Sequence, residues 1–320
     1  MKLMNTFILA PYKYSKDAVS SYKKLGTVYL ASDIKSRADS VKAKRDCQIL
    51  VTQLQEVRKN LIDEMPGLKI VVSSTTGHNH IDTAYLKKKG IKLISLRGRK
   101  GFLKNITSTG EHTFALILAL IRHVPDSFDS VKRGKWDREP FIGNQLLGKT
   151  FGIIGYGRLG RIVKRYAKAF GMRVIGYDPH VSRGQFLRDR VENVSLEKLL
   201  KISDIVSLHA SYTEKTRHFF TLKHFNKMKK SAFFINTARA EIIKPGALYS
   251  ALSQKKISGA ATDVLYEEHE DGRHLKKEPL LSWAKSHSNL IITPHIAGAS
   301  EEAMKATEDY VANLVIKQAR

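Results

Sequence analysis

The residues best suited to chemistry begin at segment 150–160, TFGIIGYGRLG. Gly155, Gly157 and Gly160 stand in the pattern G-x-G-x-x-G, after an apolar run and before an amphipathic one. Each glycine has a physical task. Gly155 permits a tight turn, Gly157 lets a pyrophosphate approach the backbone, and Gly160 lets the following helix pack close to the strand. The helix opens with Arg158 and Leu159, and its first N–H groups have no intrahelical partner, so they and the helix dipole favour an anion. Asp178 closes the next apolar run, 172–178, and its carboxylate can accept from both hydroxyls of a ribose. A glycine turn alone is weak evidence. Strand, turn, helix and terminal acid in register point to a dinucleotide.

Three further groups follow apolar runs, where open α/β sheets place their ligands. Arg239 ends the segment FINTAR at 234–239, and a guanidinium there can hold a carboxylate by two parallel hydrogen bonds. Asp263 ends another run and leads into the acidic pair Glu267 and Glu268. His295 lies in TPHIAG at 293–298, where a histidine can serve as general acid or base with its tautomer set by a carboxylate. Taken singly, each has a plainer reading: a surface arginine, a solvated acidic loop, one structural histidine among 12.

The elements that must position these groups alternate between strand and helix. In the first hundred residues the strand candidates are Thr6–Ala10, Thr27–Leu30, Gln48–Thr52, Lys69–Ser73 and Lys92–Ser95, separated by lysine-bearing stretches of helical length. A helix is expected over Gly110–His123, ended by Pro125. A second set of strands follows at Phe151–Gly155, Arg173–Tyr177, Asp204–His209, Ala232–Asn236, Gly259–Val264 and Asn289–Thr293. The helix after the glycine turn should bury Ile162, Val163, Tyr166, Ala167 and Phe170 and stop at Gly171. This is an α/β pattern, with a doubly wound nucleotide domain at 107–296. The amphipathic helix Ser300–Arg320 is too short to be a domain and is expected to pack on the first one. The first domain is then discontinuous, 1–106 plus 297–320.

Composition narrows the classes further. One cysteine, Cys47, excludes an intramolecular disulfide and a cysteine zinc cluster, and no metal site is expected. The start of the chain reads as a strand rather than a signal peptide, because Asn5 and Thr6 interrupt its apolar run. The apolar run Phe114–Ile121 is too short to cross a bilayer, so a cytoplasmic protein with no membrane partner is expected. The net charge is +25, divided as +13 in residues 1–106, +13 in 107–296 and −1 in 297–320. Such spreading suits a solvated basic surface better than a nucleic-acid footprint, and no aromatics interleave the basic clusters.

With these motifs in order, the chain resembles the D-isomer-specific 2-hydroxyacid dehydrogenases, in their short, phosphoglycerate-dehydrogenase-like form. The matching segments are the glycine turn with Asp178, Leu208-His209, Asn236 to Arg239, Asp263 to Glu268 and Thr293 to Gly298. Val72 to Asp82 is similar to the family's substrate loop, and Ser108 to Thr113 to the start of its interdomain helix. The resemblance implies a Rossmann-type NAD domain inserted into a discontinuous flavodoxin-like substrate domain. It implies NAD as cofactor, a small anionic 2-hydroxy or 2-oxo acid as substrate, and a homodimer. Arg239 would bind the substrate carboxylate, His295 would be the acid/base, and Glu268 would pair with it. Asp263 would orient the nicotinamide carboxamide, and the backbone at Thr76 and Gly77 would hold the substrate carboxylate. His209, Thr237, Ala238 and Gly298 would line the cofactor. The chain departs from the family at Ala240 and His269, where glycine and proline are usual, and in about nine extra residues, His269 to Lys277. A phosphite or other small-anion dehydrogenase of the same family and a non-catalytic NAD-sensing protein are the alternatives.

Overall fold

The computed structural model describes residues 3–10, 12–269 and 271–319, with residue 319 described by its backbone only. The chain divides into two units, Met1–Ile106 with Ser300–Arg320, and Thr107–Ala299. The second crossover thus falls three residues beyond position 296.

The first unit holds a parallel sheet of β1 (Thr6–Ile8), β2 (Val28–Leu30), β3 (Ile49–Thr52), β4 (Ile70–Ser73) and β5 (Lys92–Ser95). Its order is β2-β1-β3-β4-β5. Strands covered on both faces read as continuous apolar runs, as ILVT in β3 does. On one face Ile8, Ile49, Val51 and Val72 pack with Ala18 and Tyr22. Val311, Ala312 and Val315 of the helix Glu301–Ala319 complete that layer. On the other face Phe7, Leu50 and Val71 meet Ala43, Cys47, Ile62 and Leu86. Cys47 is fully buried, and burial, with the Asp46 carboxylate, pushes its thiol up to about 12.

The second unit is a seven-stranded parallel sheet. Its strands are β6 (Thr150–Ile154), β7 (Arg173–Tyr177), β8 (Glu192–Asn193), β9 (Ile205–Leu208), β10 (Phe233–Asn236), β11 (Gly259–Thr262) and β12 (Leu290–Ile292). The order is β12-β11-β10-β9-β6-β7-β8. From β6 the chain winds outward one way through β7 and β8, then returns beside β6 at β9 and winds the other way. That reversal opens a crevice at the carboxyl ends of β6 and β9. One core layer, with Ile153, Val163, Ala167 and Ile205, packs beneath the helix Arg158–Ala169, and the other, with Ile154, Leu199, Phe225 and Phe234, covers the opposite face. Gly110 allows the helix Ser108–Ile121 to approach Ile162, whose methyl would lie 2.6 Å from a β-carbon.

Three local expectations are corrected. The helix Ser108–Ile121 is stopped by His123, which is left-handed, not by Pro125. Pro125 instead lies in the first turn of the next helix, Val124–Lys132, where a missing N–H costs nothing. Phe170 is 41% exposed at the end of its helix, although its ring stacks on Phe114 at 5.4 Å. Strand β8 escaped the sequence because its two residues are polar and exposed. Among the described residues no helix is long and apolar enough to cross a membrane.

Val311 belongs to the core of the first unit although its helix lies more than 200 residues beyond that unit's last strand. Val311→Ala should therefore cost about 2 kcal/mol, as a buried truncation with an incompletely filled cavity does. Urea unfolding of wild type and variant, followed by circular dichroism, measures this.

Candidate active site

The glycine turn leaves the carboxyl end of β6. Gly155 is left-handed (φ 91°), and a β-carbon there would lie 2.4 Å from the backbone nitrogen of Ala210. The turn therefore abuts the end of β9, where His209 donates its N–H to Ile154 O at 2.7 Å. Gly160 is equally constrained, with a β-carbon 2.5 Å from Gly155 O. Gly157 differs. Nothing lies within 4 Å of its β-carbon position, so it is open toward solvent at the start of the helix Arg158–Ala169. A phosphate can approach the backbone there. Leu159 and Arg158 form the first turn, and burial lowers the proton affinity of Arg158.

Asp178 follows β7 beside this turn. Its two oxygens accept the N–H groups of Tyr156 (2.9 Å) and His180 (2.8 Å). Those bonds fix the carboxylate rim-on to the glycine turn and leave lone pairs for a ribose. A pyrophosphate at Gly157 and a ribose at Asp178 are thus both accommodated, so the residues fit a dinucleotide.

His209 is buried, with 8% exposure. Its Nε2 lies 2.8 Å from Ser207 Oγ, and Nδ1 has no hydrogen-bond partner. Burial drives its pKa down to about 3, so the ring is neutral. An orphaned ring nitrogen beside the crevice is the kind of polar atom that a ligand or an ordered water satisfies.

At β10 the chain turns through Asn236, Thr237, Ala238 and Arg239. Asn236 shapes the turn, accepting from Ala238 N at 3.0 Å and donating to Arg239 O at 3.2 Å. Thr237 is pinned by Thr113 Oγ1 at 2.9 Å. Arg239 donates to Ala238 O at 2.7 Å. Burial lowers its proton affinity, opposed by the carboxylates of Glu241, Glu268 and Asp263. Arginine stays charged under such a shift.

The segments after β11 and β12 meet at Asp263, which is 1% exposed. Its Oδ1 accepts from Thr293 Oγ1 (2.6 Å) and Ile296 N (2.9 Å), and its Oδ2 from Ala297 N (2.8 Å). The Asp263 carbonyl accepts from His295 N at 2.9 Å. His112 Nε2 is 3.5 Å from Oδ1 and 3.0 Å from Thr293 Oγ1. Burial alone would raise the pKa of Asp263, but the hydrogen bonds from His112, Thr293, Ala297 and Ile296 outweigh it and hold the group below the usual carboxylate range.

This clamp holds His295 in a left-handed conformation (φ 55°). Its Nδ1 lies 2.5 Å from Glu268 Oε2, while Glu268 Oε1 accepts Leu265 N at 2.7 Å. Glu268, not Glu267, is therefore the glutamate facing His295. A carboxylate at Nδ1 favours the proton on that nitrogen and leaves Nε2 for a second partner. Gly298 follows, exposed, with open space at its β-carbon position.

Thr76 and Gly77 lie in the other unit, in the loop after β4. Thr75 Oγ1 bonds Ser73 Oγ and Gly77 O, each at 2.8 Å. His78 Nε2 meets Ser95 Oγ at 2.9 Å, and Ser95 Oγ also accepts Arg97 N at 3.3 Å. Burial, then the Arg97 charge, lowers the pKa of His78.

The sequence reading missed His112, Thr113 and Thr293 as supports of this site. Their signal was present, since two fall in the segment Ser108–Thr113 and one in the segment Thr293–Gly298. What could not be seen was that His112 meets Thr293 and that Thr113 and Thr293 reach Thr237 and Asp263.

A glycine turn on the central strand, at the point of reversal, with an acid closing the next strand, defines a dinucleotide-binding α/β unit. Residues 114–297 match the family described as D-isomer specific 2-hydroxyacid dehydrogenase, NAD binding domain, and the chain belongs to that family. It is 35% identical to the D-3-phosphoglycerate dehydrogenase of Methanocaldococcus jannaschii over 315 residues, 98% of this chain and 57% of that relative. It is also 35% identical to the hydroxypyruvate reductase of Thermotoga maritima over 257 residues, 80% of this chain and 79% of that one. Among solved structures, the D-lactate dehydrogenase from Aquifex aeolicus complexed with NAD and lactic acid superimposes with a TM-score of 0.80 at 29% identity, covering 98% of this chain and 95% of that chain. The chain spans about half the length of the curated phosphoglycerate dehydrogenases it matches.

The glycines separate folding from binding. Gly155→Ala should lower the melting temperature, because backbone must move to admit the methyl. Gly157→Ala should leave the melting temperature nearly unchanged yet weaken NADH binding, read by fluorescence titration. Equal effects on stability in the two variants would contradict the open-space reading.

His209 makes a pH prediction. Its folded pKa lies below the unfolded value of about 6.5, so its contribution is complete above that pH and is lost as pH falls toward about 3. Between pH 6.5 and pH 5 the loss should be about 2 kcal/mol. Unfolding free energies for wild type and His209→Gln, measured over that window, should show a shallower slope in the variant.

Proposed function

We propose that this chain transfers hydride reversibly between NAD and a small 2-hydroxy acid, interconverting it with the 2-oxo acid. The observation that carries the proposal is the Glu268–His295 contact, at 2.5 Å, on a loop clamped by Asp263. The nicotinamide supplies the hydride when bound. The glycine turn would bind its pyrophosphate and Asp178 its ribose. Asp178 would also oppose the 2′-phosphate of NADP with like charge, which favours NAD. His209, Thr237, Ala238, Asp263 and Gly298 would line the cofactor, with one lone-pair position on Asp263 Oδ2 still available to an amide donor.

In the reductive direction His295 Nε2 would hold the proton delivered to the forming alkoxide, while Glu268 fixes the ring and balances the charge. Arg239 would bind the substrate carboxylate and polarise the 2-oxo group. Thr76 and Gly77, in the first unit, are proposed as substrate-binding residues through their backbone N–H groups.

The finer reading is a phosphoglycerate-dehydrogenase-like substrate with a second anionic group. Arg97 supports it: the residue is exposed and lies next to His78 at the end of the Thr76–Gly77 loop. The resemblance adds a homodimer, which light scattering would measure.

A panel of 2-oxo acids with NADH oxidation as readout tests the reaction. It should include pyruvate, glyoxylate, hydroxypyruvate and its phosphate ester. A singly charged acid preferred over every doubly charged one would defeat the finer reading alone. His295→Ala should lower kcat by about 10²–10⁴, the usual contribution of a positioned acid or base. Arg239→Ala should raise KM for the oxo acid and lower kcat together. Near-normal reduction by His295→Ala would refute the assignment.

A further inference from the structure

His218 is a residue that neither the glycine turn nor the His295 loop accounts for. It lies in the segment after β9, in a left-handed conformation (φ 53°). A residue with a β-carbon costs about 1–2 kcal/mol there, whereas glycine would cost little. A histidine kept at such a position calls for a reason in its ring.

The ring and the backbone of His218 make two different attachments. Its N–H donates to Glu241 O at 2.8 Å, and Glu241 lies two residues beyond Arg239 in the turn Ala240–Ile242. The next bonds continue the same tie: Phe220 N reaches Ile242 O at 2.9 Å and Lys244 N reaches Phe220 O at 2.8 Å. The ring goes elsewhere. Its Nε2 is hydrogen-bonded to the Tyr266 hydroxyl. Tyr266 belongs to the short segment that presents Glu268: Leu265 N binds Glu268 Oε1, and Glu267 between them is left-handed (φ 48°). His218 therefore fastens the turn that carries Arg239 to the segment that carries Glu268.

We infer that His218 and Tyr266 are a positioning pair, which holds Glu268 behind His295 in register with Arg239. The inference rests on the dehydrogenase reading for its effect on turnover. Neither residue would touch the reacting atoms. Without the tie, the Glu268 segment would rest on its own backbone, which includes one strained residue, and on the contact of Arg217 with Tyr266, and the carboxylate would lose its fixed place against Nδ1. Small displacements of such a group reduce turnover steeply.

Three variants test this: Tyr266→Phe, which removes one hydroxyl; His218→Gly, which removes the ring and relaxes the backbone; and the two combined. His218→Gly is expected to be no less stable than wild type by thermal melting, so a loss of function in it would not be a folding defect. Each single variant should lower kcat for 2-oxo acid reduction about tenfold, with KM for NADH within twofold of wild type. The double variant should be no worse than either single one, because both remove the same tie. Nitrogen NMR of the imidazoles supplies a readout that needs no turnover. In wild type the neutral His295 ring should carry its proton on Nδ1, and in either variant the tautomers should mix. An unchanged His295 tautomer in both single variants would overturn the inference, as would kcat values within twofold of wild type or losses that multiply in the double variant. If wild type reduces no acid of the panel, the proposed activity fails, and the tautomer measurement still decides whether the pair positions Glu268.

Discussion

The carboxylate of Asp263 is the interaction on which the rest of the site depends. A buried acid is costly to charge, and this one is charged because four groups from other segments point at it. Two of those groups are backbone N–H donors of residues 296 and 297, which flank His295 on its far side. A third is the Thr293 hydroxyl, two residues before it. Desolvation and hydrogen bonding therefore act together: the acid needs the loop to remain ionised, and the loop needs the acid to hold His295 in a left-handed backbone. Removing the charge would release the histidine and strand several buried donors at once.

The parallel sheet explains why these groups meet. Asp178, His209, Thr237, Asp263 and Thr293 each stand immediately after a strand of the second unit, so the sheet delivers them to one edge whatever their separation in sequence. The central strands are mostly apolar, and their few polar side chains, such as Ser207 and Asn236, support the residues that follow them. Function is confined to the first few residues beyond each strand, where the backbone leaves the ladder and its polar groups need new partners. Asn236, Thr237 and Thr293 supply those partners, and in doing so they set the direction of Arg239 and His295.

How much of this could be read from the sequence depended on the kind of signal. Buried strands such as Ile49–Thr52 and Phe233–Asn236 were legible because both faces are covered and every residue but the last is apolar. The glycine turn was legible because Gly155 and Gly160 admit no β-carbon, so sterics dictate the residue type at both positions. Strand Glu192–Asn193 was not legible, since an exposed two-residue edge strand has no apolar period. Pro125 was misread because proline marks both the end of one helix and the first turn of the next, and only the left-handed His123 decides between them. The choice between Glu267 and Glu268 needed geometry, as did His112, whose partners lie 151 and 181 residues away. His218 carried no signal at all, because a left-handed residue that is not glycine or asparagine is invisible to composition.

The burial of Cys47 has a practical consequence. The thiol is the only one in the sequence, has no exposed surface, and is held far from its thiolate form. Alkylating and oxidising reagents act on the thiolate, so the folded native chain offers them nothing. A cysteine placed on any exposed helix would be the sole reactive site, and a dye or spin label could be attached there without first replacing a native residue. Uptake of a thiol reagent by the unaltered chain, in turn, would report unfolding of the first unit specifically, since Cys47 lies in its core and the second unit has no cysteine to contribute.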